Sequence, residues 1–149
     1  MKKKVFMAAL IAVFTFAACS ITSCSKEDPD GAWSPMKWKT SVKKEKDGTI
    51  HVPSDGGTYI FVCTNYNSPW MADVYEKVNG QNVYYEASTG KYDDSFYGRT
   101  TPWLEALWQG NTFTVTVSPN TTGKERTMYV RVTAGDIFHT FSFRQEANK

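Results

Sequence analysis

Nine aromatic rings fall in the stretch that runs from Trp70 to Trp108, and they stand beside several polar side chains. Sugar rings stack on the faces of exposed Trp and Tyr, because their axial C–H groups are apolar and slightly positive while the π face is negative. Tyr84, Tyr92, Tyr97 and Trp108 are the rings expected to reach solvent. Asp93, Asp94 and Arg99, with Gln81 and Asn82, supply the hydrogen-bonding groups that sugar hydroxyls require. The alternative use of such rings is ordinary packing or contact with another protein. Adjacent in a polar stretch, Asp93 and Asp94 read as solvated charge or as a weak calcium set, and no metal centre is expected from them.

Other chemistry lacks its residues. The sequence has no HExxH, CxxC, Walker loop or GxSxG, and His51 and His139 lie far apart with no metal-ligand spacing. Glycoside hydrolysis needs two carboxyls held about 5 to 10 Å apart in a cleft, which a small sandwich seldom offers. No catalytic residue and no cofactor is therefore expected, and an enzyme is not. Cys63 sits in the apolar run Tyr59 to Cys63 and reads as a small core filler rather than a nucleophile. Asn120-Thr121-Thr122 matches a glycosylation acceptor but falls in a turn.

The whole chain has 149 residues, with 17 Lys plus Arg against 15 Asp plus Glu. That length suits one ordinary domain, and a balance so near neutral offers no basic face for nucleic acid. The slight positive charge comes from one end. Lys2, Lys3 and Lys4 precede the apolar run Val5 to Ala18, which is shorter than the ~20 residues a membrane-spanning helix needs and reads as a cleaved signal peptide. Ile21-Thr22-Ser23-Cys24 resembles a bacterial lipobox, which makes Cys24 the expected lipidation site and residues 1–23 the leader. The tract Ser25 to Asp30 resembles the Lys-plus-acidic export signal of surface lipoproteins in Bacteroidetes-type bacteria. A lipid-anchored outer-membrane protein facing the exterior is expected, with residues 24–37 as a flexible tether and 38–149 as the folded domain. With Cys24 acylated, Cys63 is the thiol left in the domain, so no intramolecular disulfide holds it.

The elements that must position the aromatic groups are strands. Thr49 to Val52, Thr58 to Thr64, Asn111 to Val117, Thr127 to Thr133 and Ile137 to Gln145 are β-rich runs separated by Gly, Pro and Asn turns. In Asn111 to Val117 the alternation sends Phe113, Val115 and Val117 to one face. The same period turns Met128, Val130 and Val132 inward and Tyr129 and Arg131 outward, and it groups Phe141 with Phe143. The run Thr58 to Thr64 is nearly continuously apolar, which suggests burial on both faces or an alternation blurred by Ile60 and Val62. Asp73 to Lys77 and Asn82 to Glu86 are expected to pair through an Asn79-Gly80 turn. Ser88 to Gly98 reads as a loop, and Thr101 to Trp108 as a helical turn with Thr101 at the N-cap and Pro102 at its first position.

Gly56-Gly57-Thr58, Asn65 to Ser68 leading to Trp70, then Trp103, Thr114 to Gly123, Arg126, Val130 to Val132 and Gln145-Glu146 together resemble the BACON domain. That family comprises immunoglobulin-like β-sandwiches in secreted and surface proteins of gut Bacteroidetes, often joined to glycan-degrading enzymes. The resemblance implies an all-β, immunoglobulin-like β-sandwich, with residues 72–109 as an aromatic-rich insertion between two middle strands. It also implies that Trp70 and Trp103 plug the ends of the core, and leaves Tyr75 and Tyr85 as ordinary strand residues. The expected function is non-catalytic glycan binding through the insertion, with polysaccharide or mucin as partner. The competing expectation is a spacer or interaction module that meets a neighbouring surface lipoprotein or enzyme and touches no sugar.

Overall fold

The computed structural model describes residues 33–86 and 97–148. Among these residues ten strands form two five-stranded sheets that enclose one core, an all-β sandwich. In chain order they are β1 (Trp38–Lys39), β2 (Ile50–Val52), β3 (Gly57–Cys63), β4 (Trp70–Val78), β5 (Gln81–Tyr85), β6 (Tyr97–Thr100), β7 (Leu104–Gln109), β8 (Thr112–Val117), β9 (Arg126–Ala134) and β10 (Ile137–Gln145). One sheet runs β1-β3-β8-β7-β6 and the other β2-β10-β9-β4-β5. Every pairing is antiparallel except β2 with β10, where Ile50 lies opposite Phe143. The N-terminal stretch thus lends one short strand to each sheet.

The core follows from period-two alternation. Phe113, Val115 and Val117 of β8, Met128, Val130 and Val132 of β9, and Phe141 and Phe143 of β10 are all buried, and Phe61 lies with its ring centroid 4.4 Å from that of Phe141. Cys63 is buried among them. In β3 the second of the two expected arrangements holds, an alternation blurred by Ile60 and Val62: Phe61 and Cys63 point inward while Ile60 is exposed. Polar pins close the ends. Gln145 is fully buried and donates through Nε2 to the carbonyls of Pro53, Ser54 and Ser118, while its Oε1 accepts from Arg126 Nε at 2.9 Å. Asn120 is buried with its amide donating to Lys124 O and Glu146 O, both at 2.7 Å, so its side chain is committed to holding the turn.

Two local expectations change. Residues 34–37, expected in the tether, are part of the packed domain: Met36 is buried, Asn65 Nδ2 donates to Pro35 O at 3.0 Å, and Lys37 N donates to Asn65 Oδ1 at 2.7 Å. The segment Thr101 to Trp108 is a tight connection followed by strand β7, not a helical turn. Thr101 Oγ1 does accept the Leu104 amide at 2.9 Å, as an N-cap would, but the chain then enters the sheet. A helix this short is marginal alone, whereas pairing with β8 satisfies the backbone and buries Leu104, Ala106 and Trp108 together. Cys24 and the leader lie outside the described residues.

Candidate binding face

The β4–β5 hairpin turns at Asn79 and Gly80, whose φ values of 52° and 79° are those of a type I′ turn, as the Asn-Gly pair leads one to expect. Val78 then pairs with Gln81, which sets the register that places Tyr84 opposite Tyr75. β4 also pairs with β9, and there Tyr75 lies opposite Tyr129. Because Val74 and Val130 are buried, their neighbours Tyr75 and Tyr129 stand on the outer face, and three tyrosines from adjacent strands form a row.

The row is partly self-occupied. Tyr75 and Tyr129 have centroids 5.1 Å apart with planes only 14° from parallel, close to the strand spacing of about 4.8 Å. The rings therefore stand upright against one another and offer edges and hydroxyls to solvent. Tyr84 is tilted 46° from Tyr75, is half exposed, and accepts from Asn82 Nδ2 through its hydroxyl at 3.1 Å. Lys77 Nζ lies 5.1 Å from the Tyr129 ring centre. Burial, foremost, pushes the Tyr75 phenol up from its ordinary range, so it remains a neutral donor.

A second aromatic group lies further along the same face. A bulge between Met71 and Asp73 reverses the parity of β4, so that Trp70 points outward while Met71 takes the core position. Trp70 is opposite Thr133, which is opposite Phe138, and the two rings are 48% and 56% exposed. Thr133 is four residues beyond Tyr129, about 13 Å at 3.3 Å per residue. Between the groups Arg131 Nε donates to Asp73 Oδ2 at 2.7 Å, and the same guanidinium lies 5.2 Å from the Phe138 ring centre. An open cleft of about 480 Å³ adjoins Trp70, lined by Ser68, Pro69, Met71, Trp108 and Gly110.

This arrangement retains one of the rings expected from sequence and replaces others. Tyr84 is on the face. Trp108 is corrected from a solvent-facing ring to a core residue at 2% exposure: strand parity turns it inward against Phe113, and its Nε1 donates to Gly110 O at 2.5 Å. Trp70 is corrected in the opposite direction, from core plug to exposed ring, whereas Trp103 is buried as expected. Arg99 is directed across the sandwich, donating to Tyr85 O at 2.9 Å and to Ala72 O, at the bulge, at 2.8 Å. Tyr97 pairs its backbone with Trp108; Tyr92, Asp93 and Asp94 lie outside the described residues. The period of β9 turns Tyr129 and Arg131 outward, and a parity count from Phe141 puts Phe138 beside them, a signal that no sugar-binding motif marks. The bulge that exposes Trp70 has no mark in the sequence.

A second polar-aromatic cluster is structural. Glu76 accepts from Trp103 Nε1 at 2.5 Å and from the Tyr85 hydroxyl at 2.9 Å, and Arg126 stacks over Trp103 at 4.3 Å. Desolvation, then the Glu76 carboxylate, pushes Tyr85 up to about 12. Among the described residues, no three His, Cys, Asp or Glu side chains gather as a metal site would require.

The fold and face define a two-sheet β-sandwich with an aromatic outer surface. A Bacteroides thetaiotaomicron protein of known NMR structure is 32% identical, aligning over 82% of this chain and 95% of its own with a TM-score of 0.65, and the present chain belongs to the same family as that protein. A Bacteroides ovatus GH5 xyloglucanase, solved with a XXXG heptasaccharide, is matched over 73% of this chain and 19% of its own at 15% identity and a TM-score of 0.44. No protein-family model matches the chain, and no curated protein does.

Proposed function

We propose that this protein is a non-catalytic BACON-type module, anchored by lipid on Cys24 at the outer face of the cell, and that it binds glycan across the outer surface of the β5-β4-β9-β10 layer. The observation that carries the reading is the placement of Trp70, Phe138 and Tyr84 as exposed rings around the Asp73–Arg131 pair on one sheet face. Rings supply apolar stacking faces, and the ion pair, Asn82 and the tyrosine hydroxyls supply donors and acceptors, which is the combination a saccharide chain uses. A sheet face is extended and shallow, so it suits a polymer laid along it better than a small molecule that must be enclosed.

Retention on polysaccharide affinity gels and a glycan array, followed by NMR titration of any hit, tests this. Trp70→Ala is expected to weaken binding about tenfold or more, the loss of one stacking contact of ~1.4 kcal/mol. No retention by any host, plant or microbial glycan would overturn the glycan reading. Mass spectrometry of the membrane fraction tests the anchor separately: an unacylated chain starting at another residue would refute lipidation of Cys24.

A further inference from the structure

Sheet edges expose unpaired backbone groups, and proteins usually blunt them with short strands, Lys or Pro. Among the described residues the two sheets have four edges, and two of them are blunted in this way. β1 has two residues and carries Lys39, with Lys37 before it, and β2 has three residues and is followed by Pro53. β5 differs. Gln81 to Tyr85 contains no charged residue and no proline, and Val83 and Tyr84 are exposed.

The register specifies which groups are free. Val78 and Gln81 close a two-residue turn and form a hydrogen-bonded pair, so hydrogen bonding to β4 alternates along β5. Val83 and Tyr85 therefore turn their amides and carbonyls toward β4, while Asn82 and Tyr84 turn theirs away from the sheet. Two outward residues that flank one inward residue are self-complementary. If a second β5 approaches antiparallel about a two-fold axis through Val83, Asn82 of each copy meets Tyr84 of the other as a hydrogen-bonded pair. Val83 then faces Val83 as the closer, non-hydrogen-bonded pair, about 4.5 Å between Cα atoms.

The side chains agree with that register. Val83, opposite Glu76 on the inward-facing parity, is 45% exposed in the single chain and would be covered by its counterpart. On the outer face the hydroxyl of Tyr84, which already accepts from Asn82 of its own chain, would lie beside a second Asn82. No like charges are brought opposite one another, and a strand meeting its own copy makes an isologous contact that closes at two. We infer that the β5 edge is a homodimerisation edge, joining two copies antiparallel through Asn82 and Tyr84 so that two five-stranded sheets become one continuous sheet.

Sedimentation velocity and amide hydrogen exchange on the folded chain over a dilution series test it. The expected result is a concentration-dependent twofold rise in molar mass, with the Asn82 and Tyr84 amides becoming protected as the dimer forms. Val83→Lys should abolish the rise. Asn82→Pro should abolish it too, because it removes an amide that points away from β4; with two different variants, a folding defect in one does not decide the matter. Ile60→Lys, exposed on the other sheet, should leave the mass curve unchanged. A single monomer mass at every concentration overturns the inference, and so do Asn82 and Tyr84 amides protected equally at all dilutions, which would mean that the same chain covers its own edge.

Discussion

His139 is the group through which acid should weaken this fold. Its ring lies at the inner edge of β10 between Trp38, at 5.5 Å, and Phe141, at 4.6 Å, and its Nε2 is buried with no hydrogen-bond partner among the described residues. Burial, first, and the nearby Lys44 ammonium, second, lower its pKa from 6.5 to about 4. The folded state therefore refuses a proton that the unfolded chain accepts. Stability from this group is intact above the unfolded value near 6.5 and declines as pH falls from there, until the folded ring protonates near 4. At 1.36 kcal/mol per unit the full shift would correspond to about 3 kcal/mol. The ring is only partly buried, and screening by water brings the expected loss between about pH 7.5 and pH 4.5 to about 1–2 kcal/mol. The perturbation is His139→Phe, which keeps an aromatic ring and removes both the titration and the orphaned nitrogen. Urea unfolding of both proteins at the two pH values gives the answer, because carboxylates shared by the two chains cancel in the difference. At neutral pH the variant should be as stable as the parent or slightly more so, and on acidification it should lose about 1–2 kcal/mol less. Equal losses in the two proteins would refute the assignment of the acid sensitivity to His139.

Gly56 has φ of 80°, and a Cβ there would meet Val117 O at 2.1 Å, so Gly56→Ala should destabilise by about 2–4 kcal/mol in chemical denaturation. Gly135→Ala has a similar φ, 71°, but open space, and should lose only about 1 kcal/mol. Trp108→Ala should cost about 3–5 kcal/mol of stability by cavity formation, whereas Trp70→Ala should shift it by less than about 1 kcal/mol; thermal melts of the pair check the exchange of roles between the two indoles. Arg99→Met should lower stability by about 1.5–3 kcal/mol through loss of its hydrogen bonds to Ala72 O and Tyr85 O, and exchange at the β4 bulge should quicken.

Strands β8, β9 and β10 were legible in the sequence because each alternates cleanly and buries one face, so the period alone fixes inside and outside. The β4–β5 turn was legible because Asn-Gly is chemically suited to two successive positive φ angles. β7 was not, because Thr-Pro followed by apolar residues four apart satisfies a helix start locally. Only β8, whose open side needed a partner, decides otherwise. Trp108 follows from the same ambiguity, because a helical turn lacks the strand parity that buries it; Trp70, placed in the core by the family resemblance, is instead turned outward by one bulged residue.

The residues that carried the family resemblance also explain why they say little about binding. Gly56 permits a close backbone approach, Asn120 and Gln145 satisfy buried carbonyls, and Arg126 covers Trp103 while reaching Ser118 O and Pro119 O. Each is spent on closing the sandwich. The proposed binding would draw on the outward residues that lie between buried neighbours on the β4 and β9 face: Tyr75, Tyr129, Arg131 and, through the bulge, Trp70. If the proposed glycan face is correct, a Tyr84, Trp70 and Phe138 set carried onto a related sandwich should confer retention on the same polysaccharide gel without altering stability by more than about 1 kcal/mol.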